Sequence, residues 1–354
     1  MSTIGRILVI QTAFIGDVIL TLPLLQVLKK SFAGSKTDLV VVPRAADVCA
    51  NHPAIDEIIL FDKRGKDRGL SGLRKLGRRL RERKYDLVIV PHRSLRSAIL
   101  AFMTGSPLRV GFSRSVGRFL FTKLARYRKD YHEVDRNISL LEGVGIREAA
   151  KVLPSVFPTE EDKKKVDRLL SEFSIQTPSN MVTLAPGTIW NTKRWPKEHF
   201  AVLAELLGKD GFEIMLIGGT DDAPLCTEIQ QLAASRHVHT AAGRLSLLQS
   251  AEMIHRSKVL ISNDSAPMHL GVAVQTPVIG IFGATIPAFG FAPYGDNDVI
   301  LETNGLPCRP CSSHGGDRCP IGTFECMRAI KPDRVITALL KVIEKNPQAS
   351  SVRI

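Results

Sequence analysis

Short runs of β-branched and other apolar residues alternate with helical patterns along most of this 354-residue chain. In the first half the runs are RILVIQ (6–11), DLVVVP (38–43), DEIILF (56–61), YDLVIV (85–90) and LRVGF (108–112). Near-continuous apolar strands separated by helices are typical of a parallel sheet that is covered by helices on both faces. The first half is therefore predicted to be a doubly wound α/β domain.

A second series of the same kind follows an interruption. The segment LPSVFPT (153–159) contains two prolines and is interpreted as an inter-domain linker, and Thr159 with Asp162 resembles a capping box that opens a helix through Phe173. The strands expected beyond it are MVTLAPG, FEIMLIGG, HVHTAAG, KVLISNDS and PVIGIFG. The predicted fold class is thus α/β, with two Rossmann-like, doubly wound parallel-sheet domains that face a cleft.

Three helices are predicted with specific apolar faces. One runs from Val18 to about Phe32, and the last runs from about Pro332 to Lys345 with a packing stripe of Val335, Ile336, Leu339, Leu340 and Ile343. In the third, Gly69–Lys84, the residues expected on one buried face are Leu70, Leu73, Leu76 and Leu80. Lysines and arginines occupy its other face, which is either a solvated surface or a surface that lies near anionic headgroups.

The formal net charge of +13 is concentrated in the first half. Lys63–Lys84 carries eleven Lys or Arg against two acidic residues, and Arg109–Arg136 carries eight against three. Such a field favours an anionic partner. Nucleic acid is not predicted, because the basic stretches lack stacking aromatic residues and a recognisable binding motif.

Several classes of protein do not fit the sequence. No apolar run approaches the roughly 18 residues of a spanning helix, and no P-loop or G-x-G-x-x-G fingerprint occurs. We expect a soluble, intracellular protein.

The segment KVLISNDSAPMHLGVA (258–273) is the first candidate site. An apolar strand stops in a polar turn, Asn263 to Ser265, and continues as a helix with Pro267 in its first turn. The free N–H groups at such a helix start favour an anion, commonly phosphate, although the segment could equally be a well-capped helix without a ligand. His269 lies one helical turn further on and would add a titratable group over the same terminus.

Four cysteines near the C-terminus, Cys308, Cys311, Cys319 and Cys326, have the spacing C-x2-C-x7-C-x6-C. They could hold a structural zinc or belong to a reduced intracellular loop. Disulfides are disfavoured by the compartment, and neither alternative makes this region catalytic.

Four segments in order resemble one family over nearly the full chain: TAFIGDVILTLP (12–23), APGTIWNTKRWP (185–196), IGGTDD (217–222) and ISNDSAPMHLGVA (261–273). They are similar to the ADP-heptose:lipopolysaccharide heptosyltransferases, glycosyltransferase family nine. The KRWP element and the cysteine-rich segment resemble the branch that adds the second heptose.

The resemblance implies a GT-B architecture without a cofactor or a metal. It places an acceptor-binding domain at residues 1–156, a nucleotide-sugar-binding domain at 157–330, and a C-terminal helix, 331–354, that crosses back to the first domain. It also implies an ADP-heptose donor and a lipid A-core acceptor at the inner membrane surface, so that the protein would be cytoplasmic and peripheral on the cytoplasmic face.

Two catalytic residues are implied by the family motifs. Asp17 matches the family's base, although locally it could instead cap the helix predicted to begin at Val18, and amide hydrogen bonds to a capping carboxylate would weaken it as a base. Lys193 matches a lysine that offsets charge on the departing diphosphate, and its alternative is a solvent-exposed loop residue. The donor-binding residues implied are Gly16, Thr188, Asp222, Asp264, Ser265, Ala266 and His269.

Asp222 follows the strand FEIMLIGG and would bind the ribose hydroxyls, unless it only caps a helix. The function implied is inverting transfer of L-glycero-D-manno-heptose to the heptosyl-Kdo-lipid A inner core. The alternatives are the same reaction type with another donor or acceptor, such as the first or third core heptose, a non-catalytic protein that binds polyanions at the membrane, and a zinc-dependent role.

Overall fold

The structure is a computed structural model that describes residues 4–147 and 150–346. The chain divides into two compact units, Met1–Phe157 and Pro158–Ile354. None of the helices within the described residues is both long enough and apolar enough to cross a bilayer.

The first unit is a six-stranded parallel sheet with helices packed on it. Its strands are β1 (Arg6–Ile10), β2 (Lys36–Val41), β3 (Glu57–Leu60), β4 (Leu87–Val90), β5 (Leu108–Phe112) and β6 (Lys123–Ala125). Its helices are α1 (Ile15–Ile19), α2 (Leu22–Ser31), α3 (Gly69–Glu82), α4 (Leu95–Met103) and α5 (Glu133–Ser139).

The second unit contains another six-stranded parallel sheet. Its strands are β7 (Met181–Ala185), β8 (Glu213–Leu216), β9 (Val238–Thr240), β10 (Val259–Asn263), β11 (Val278–Phe282) and β12 (Val299–Glu302). Its helices are α6 (Glu160–Glu172), α7 (Lys197–Lys209), α8 (Ala223–Ala233), α9 (Leu247–His255), α10 (Ala266–Ala273), α11 (Glu325–Arg328) and α12 (Pro332–Lys345).

Both sheets have the same strand order. It is β3-β2-β1-β4-β5-β6 in the first unit and, written from the other edge, β9-β8-β7-β10-β11-β12 in the second. In each sheet the chain starts at a central strand, β1 or β7, and adds strands toward one edge. It then returns to the other side of that central strand with β4 or β10. Loops that leave the carboxyl ends of two such strands diverge and open a crevice, which is where doubly wound folds bind ligands.

Two helix predictions are wrong in detail. The helix expected from Val18 to Phe32 begins earlier and is split into α1 and α2, with Pro23 in the first turn of α2. In α3, Leu73, Leu76 and Leu80 are buried as predicted, whereas Leu70 is 68% exposed. At 100° per residue, Leu70 lies roughly 90° around the helix from the mean direction of the other three leucines.

The two ends of the second unit follow the sequence more closely. The capping box that opens α6 is present: the Thr159 hydroxyl accepts the Asp162 N–H, and the Asp162 carboxylate accepts the Thr159 N–H. Helix α12 has the predicted bounds and packs on α7 and on β10 to β12. Its predicted stripe is corrected at Leu340, which is 48% exposed, while Val342 is buried instead. Residues 347–354 of the predicted crossing segment lie outside the described residues.

The fully buried Asn263 side chain joins three segments at the end of β10. Its carbonyl oxygen accepts the Trp195 N–H at 3.0 Å, and its amide nitrogen donates to the Pro186 carbonyl at 2.8 Å. The Trp195 indole N–H donates to the Ile330 carbonyl at 2.8 Å. These hydrogen bonds hold the loop after β7 and the segment before α7 against the end of β10.

We expect Asn263→Asp to lower the free energy of unfolding of the second unit by about 3 kcal/mol. The substitution keeps the shape of the side chain but removes the donor to Pro186 and places a carboxylate beside that carbonyl. Thermal unfolding would measure the loss. The matched control is Asn191→Asp, the same change at an exposed position, where a similar loss would contradict the role given to Asn263.

Candidate functional site

The second unit presents a helix start at the carboxyl end of β10. Ser265 occupies the N-cap position of α10, Ala266 is the first helical residue, and Pro267 lies in the first turn, as predicted. The Ser265 side chain makes no capping hydrogen bond. The N-terminus of an eight-residue helix therefore lies at the switch point of the sheet, where its positive dipole end and the Ala266 N–H would stabilise an anion; Pro267 has no N–H, and the Met268 N–H donates to the Ser265 carbonyl at 3.1 Å.

Lys193 and Asp264 form an ion pair at this helix start. The Lys193 Nζ lies 2.6 Å from Asp264 Oδ2, and the Thr285 hydroxyl donates to the same oxygen at 2.6 Å. The Lys193 side chain is only 15% exposed, so the alternative of a solvent-exposed loop lysine is wrong. A largely buried, oriented cation thus lies beside the positive end of the α10 dipole, an arrangement that suits a diphosphate.

Thr188 lies in the loop after β7 and is 9% exposed. Its hydroxyl donates to the Trp190 carbonyl at 2.6 Å, and Arg194 Nη2 donates to the Thr188 carbonyl at 2.9 Å. These contacts fix the conformation of the loop that carries Lys193.

Asp222 lies next to the same loop. A Cβ built on Gly187 would lie 2.2 Å from Asp222 Oδ1, and one built on Gly218 would lie 2.6 Å from the Asp222 Cβ. The Asp222 carboxylate also accepts the Gly219 N–H at 3.0 Å, so the capping role considered for it is present. Because Gly187 and Gly218 lack side chains, the half-buried Asp222 carboxylate can lie against the backbone at the ends of β7 and β8. This position is beside Thr188.

His269 is 4% exposed and lies in α10 between the buried Met268 and Leu270. It is an interior residue of the second unit. A position beside a bound sugar or diphosphate stays a prediction for this side chain.

Asp17 and Gly16 belong to the first unit and lie within α1, at the carboxyl end of β1. The N-cap of α1 is Phe14 rather than Asp17, so the predicted capping position is wrong by three residues. The Asp17 carboxylate accepts the Phe14 N–H at 3.2 Å, and its backbone carbonyl accepts the Thr21 hydroxyl at 2.8 Å. The side chain is half-buried.

A polar cluster that the sequence analysis missed lies at the switch point of the first sheet. His92 Nδ1, which follows β4, is 3.0 Å from the Thr12 hydroxyl and 3.1 Å from the Ser97 hydroxyl. Lys63 Nζ, which follows β3, donates to the Thr12 carbonyl at 2.6 Å. Burial, assisted by the charges of Lys63 and Arg93, lowers the pKa of His92 to about 4, so His92 is neutral at pH 7. The polar segment PHRS directly after a predicted strand was the available indication.

Glu133 is a second carboxylate near Asp17. It begins α5, is 8% exposed, and accepts a hydrogen bond from Arg136 at 2.6 Å. One turn further along α5, the Asn137 amide donates to the Leu20 carbonyl at 3.1 Å, which holds this helix face against the segment that follows α1. Burial raises the pKa of Glu133 to about 7, with Arg136 opposing the shift and the charge of Asp17 adding to it.

The cysteine-rich segment gives no metal centre within the described residues, which include no group of three or more His, Cys, Asp or Glu side chains that could hold a metal ion. The six cysteines are free. Backbone amides from Phe324 and the three residues before it donate to Cys319 and lower the pKa of its thiol. Cys319 is therefore part of a hydrogen-bonded turn with residues 321–324.

Substitution of Glu133 by Gln tests the buried carboxylate. In the folded protein Glu133 ionises near pH 7, against 4.5 for a free side chain, so wild-type stability falls as the pH rises between these values. Glutamine cannot ionise and removes this loss. The Tm of Glu133→Gln relative to wild type should therefore rise from pH 4.5 to pH 7.5, by an amount equivalent to at most about 3 kcal/mol. Parallel curves of Tm against pH for the two proteins would contradict the raised pKa.

Comparison with known proteins agrees with this architecture. The sequence model described as glycosyltransferase family 9 (heptosyltransferase) matches residues 73–318. The chain is 28% identical over 298 residues to lipopolysaccharide heptosyltransferase 2 of Salmonella typhimurium, covering 80% of this chain and 84% of the relative. It is 30% identical over 319 residues to lipopolysaccharide heptosyltransferase 1 of Pseudomonas aeruginosa, covering 86% of each chain.

A crystal structure of a family 9 glycosyltransferase from Veillonella parvula superposes with a TM-score of 0.87 at 27% identity, covering 96% of this chain and 98% of that one. The α/β fold class and the GT-B type predicted from the sequence are confirmed. The family match spans more than half of the chain and includes Lys193, Asp222 and Asp264. This chain therefore belongs to glycosyltransferase family 9, the heptosyltransferases, and is a glycosyltransferase.

Proposed function

We propose that this enzyme moves L-glycero-D-manno-heptose from ADP-heptose to the heptosyl-Kdo-lipid A inner core of lipopolysaccharide, adding the second heptose with inversion. Relatives named as lipopolysaccharide heptosyltransferases support the lipopolysaccharide core as acceptor. The KRWP element of residues 193–196 favours the second-heptose branch.

The Lys193–Asp264 pair at the start of α10 is the observation that carries the proposal. Departure of ADP leaves negative charge on a diphosphate oxygen, and a fixed cation beside a helix N-terminus stabilises that charge without reorganising. Asp264, which accepts the Thr285 hydroxyl, holds the Lys193 ammonium group in place before the donor binds. The chain's own cation thus performs the task that a metal ion performs in other transferases.

In this proposal the second unit binds ADP-heptose. Asp222 accepts hydrogen bonds from the ribose hydroxyls, and the diphosphate lies between Lys193 and the N-terminus of α10. Gly16 of the first unit has no side chain and would therefore let its backbone come close to the bound diphosphate. The remaining donor-binding residues are Thr188, Ser265, Ala266 and His269.

The first unit would bind the acceptor, and Asp17 would remove the proton from the attacking hydroxyl. The basic residues of this unit suit the phosphates and sugar acids of a lipid-linked core, with Lys63 close to Thr12 at the switch point. We place the enzyme on the cytoplasmic face of the inner membrane as a peripheral protein.

Addition of the first or third core heptose is the second candidate, because the relative named heptosyltransferase 1 is 30% identical to this chain. Purified enzyme with ADP-heptose would be given Kdo-lipid A, heptosyl-Kdo-lipid A and the diheptosylated core in separate reactions. Mass spectrometry of the products identifies the acceptor. Preference for heptosyl-Kdo-lipid A is expected, and heptose transfer to Kdo-lipid A alone would reject the second-heptose assignment.

Thermal shifts with ADP, UDP and GDP would test the donor, with the largest shift expected for ADP.

Asp17→Asn should lower kcat by about 100-fold to 10,000-fold, since an amide cannot accept the acceptor proton. The Kd for ADP, measured by calorimetry, should change less than about twofold, because Asp17 contributes to proton transfer and not to donor affinity. Asp130→Asn, at an exposed acidic residue of the same unit, is the control. Appreciable turnover by Asp17→Asn would reject its role as base.

Gly187→Ala should raise KM for ADP-heptose by about tenfold with little change in kcat, because the new methyl group would displace the Asp222 carboxylate from the ribose position. Displacement also breaks the hydrogen bond from the Gly219 N–H to the carboxylate, so a stability loss of about 1 kcal/mol should accompany the change in KM. Gly219→Ala is the matched control, since its Cβ would lie 3.8 Å from Asp222 Oδ2 and would leave the carboxylate in place. Equal KM values for the two variants would argue against Asp222 as a donor ligand.

A further inference from the structure

Three apolar side chains of the first unit are exposed close to the switch-point loops. Leu95 is 43% exposed at the start of α4, and Val116 and Phe119 are 60% and 80% exposed in the loop after β5. The two residues after Phe119 turn inward, since Leu120 packs against the core and Phe121 is buried in it. We call Leu95, Val116 and Phe119 the apolar tip.

The backbone holds the parts of the apolar tip together. The Val116 N–H donates to the Arg93 carbonyl at 3.0 Å, which fastens the loop after β5 to the residues that precede α4. Gly117, at φ +83°, lies so close to α4 that a Cβ on it would be 2.8 Å from Leu95 Cδ1 and 3.1 Å from the Ala98 Cβ. The loop is thus fixed on the first turn of α4, and its apolar side chains remain in solvent.

The charge around the apolar tip has a single sign. From Leu87 to Lys129 the chain has nine Lys or Arg and no Asp or Glu. Arg96, Arg114 and Arg118 are exposed and flank the three apolar residues in sequence. Exposed apolar side chains surrounded by arginines combine the two features that bind proteins to an anionic membrane interface: apolar insertion and attraction to phosphate headgroups.

We propose that the apolar tip and its flanking arginines bind an anionic bilayer, with Phe119 and Val116 inserted below the headgroups. This deepens the proposed function and rests on it for the choice of a lipid partner, because a lipid-linked acceptor must be reached at the membrane surface. The occupant is a bilayer rather than a protein, since the segment Leu87–Lys129, which carries the tip, has no carboxylate to pair with the cations of a mixed-charge partner surface. Helix α3 supplies cations but, apart from Leu70, presents no large exposed apolar side chain for insertion.

The test measures sedimentation of the full-length protein with vesicles, without donor or acceptor. Vesicles contain phosphatidylcholine with or without about one third phosphatidylglycerol, at low and high salt. The variant Phe119→Ser/Val116→Ser removes both insertion residues. Its matched control is Leu232→Ser/Leu340→Ser, which changes residues of the second unit that are 50% and 48% exposed. Thermal unfolding confirms that each variant is folded.

We expect wild type to bind the anionic vesicles more weakly as salt rises, and the tip variant to bind at least about tenfold more weakly than the control variant. Equal binding by the two variants, or no binding by wild type, would overturn the proposal. If the tip variant keeps its lipid binding but loses self-association, the apolar tip binds a second copy of the chain. That outcome would also overturn the proposal. Heptose transfer to a delipidated acceptor, assayed in parallel, should be the same in all variants. Its absence in wild type would instead count against the proposed function.

Discussion

The amide of Asn263 is hydrogen-bonded on both sides in a place that water does not reach. One bond goes to Trp195 and the other to Pro186, so the ends of β7 and β10 and the segment before α7 share a single polar anchor. Lys193 lies two residues before Trp195, and Asp264 follows Asn263 directly. Their 2.6 Å ion pair therefore depends on the same buried side chain. Orientation of a cation in this way reduces the reorganisation that charge stabilisation would otherwise cost.

The first unit has the same strand order but carries different polar groups at its switch point. Asp17 and the neutral His92 lie in the segments that follow β1 and β4, and Glu133 begins α5 close enough to Asp17 for the charge of Asp17 to act on it. Burial and neighbouring charge shift the pKa of Glu133 to about 7 and that of His92 to about 4, in opposite directions, because burial disfavours the charged form of each. The unit thus keeps proton-accepting groups in its interior, while its surface carries the excess of arginine and lysine. In the proposed function, a base would take the proton of the acceptor hydroxyl and the cationic surface would attract an anionic acceptor.

Prediction from the sequence was most successful for the buried strands. Each apolar run identified in advance is a strand, because a parallel sheet covered on both faces requires continuous apolar side chains. The two strands that were missed, β6 and β12, each lie at one edge of their sheet; the opposite edges, β3 and β9, were predicted. The missed strands are short and partly exposed, with charged residues in Lys123–Ala125 and Val299–Glu302, so they lack the periodicity of the central strands. The division of the first helix into α1 and α2 was missed for a related reason: both parts are apolar, and periodicity alone does not show a break of two residues.

The sequence by itself determined the fold class, the family, and the segments that carry the candidate site, since these depend on local patterns and on motifs that are contiguous in the chain. Only the tertiary structure decided which side chains from distant segments meet. It pairs Lys193 with Asp264, sets Asp222 against Gly187, holds Glu133 on the helix that packs near Asp17, and fastens the loop of Phe119 to α4. Strand order is the physical reason: the loops at the carboxyl edge become neighbours only after the sheet has formed, and local sequence patterns do not specify that order.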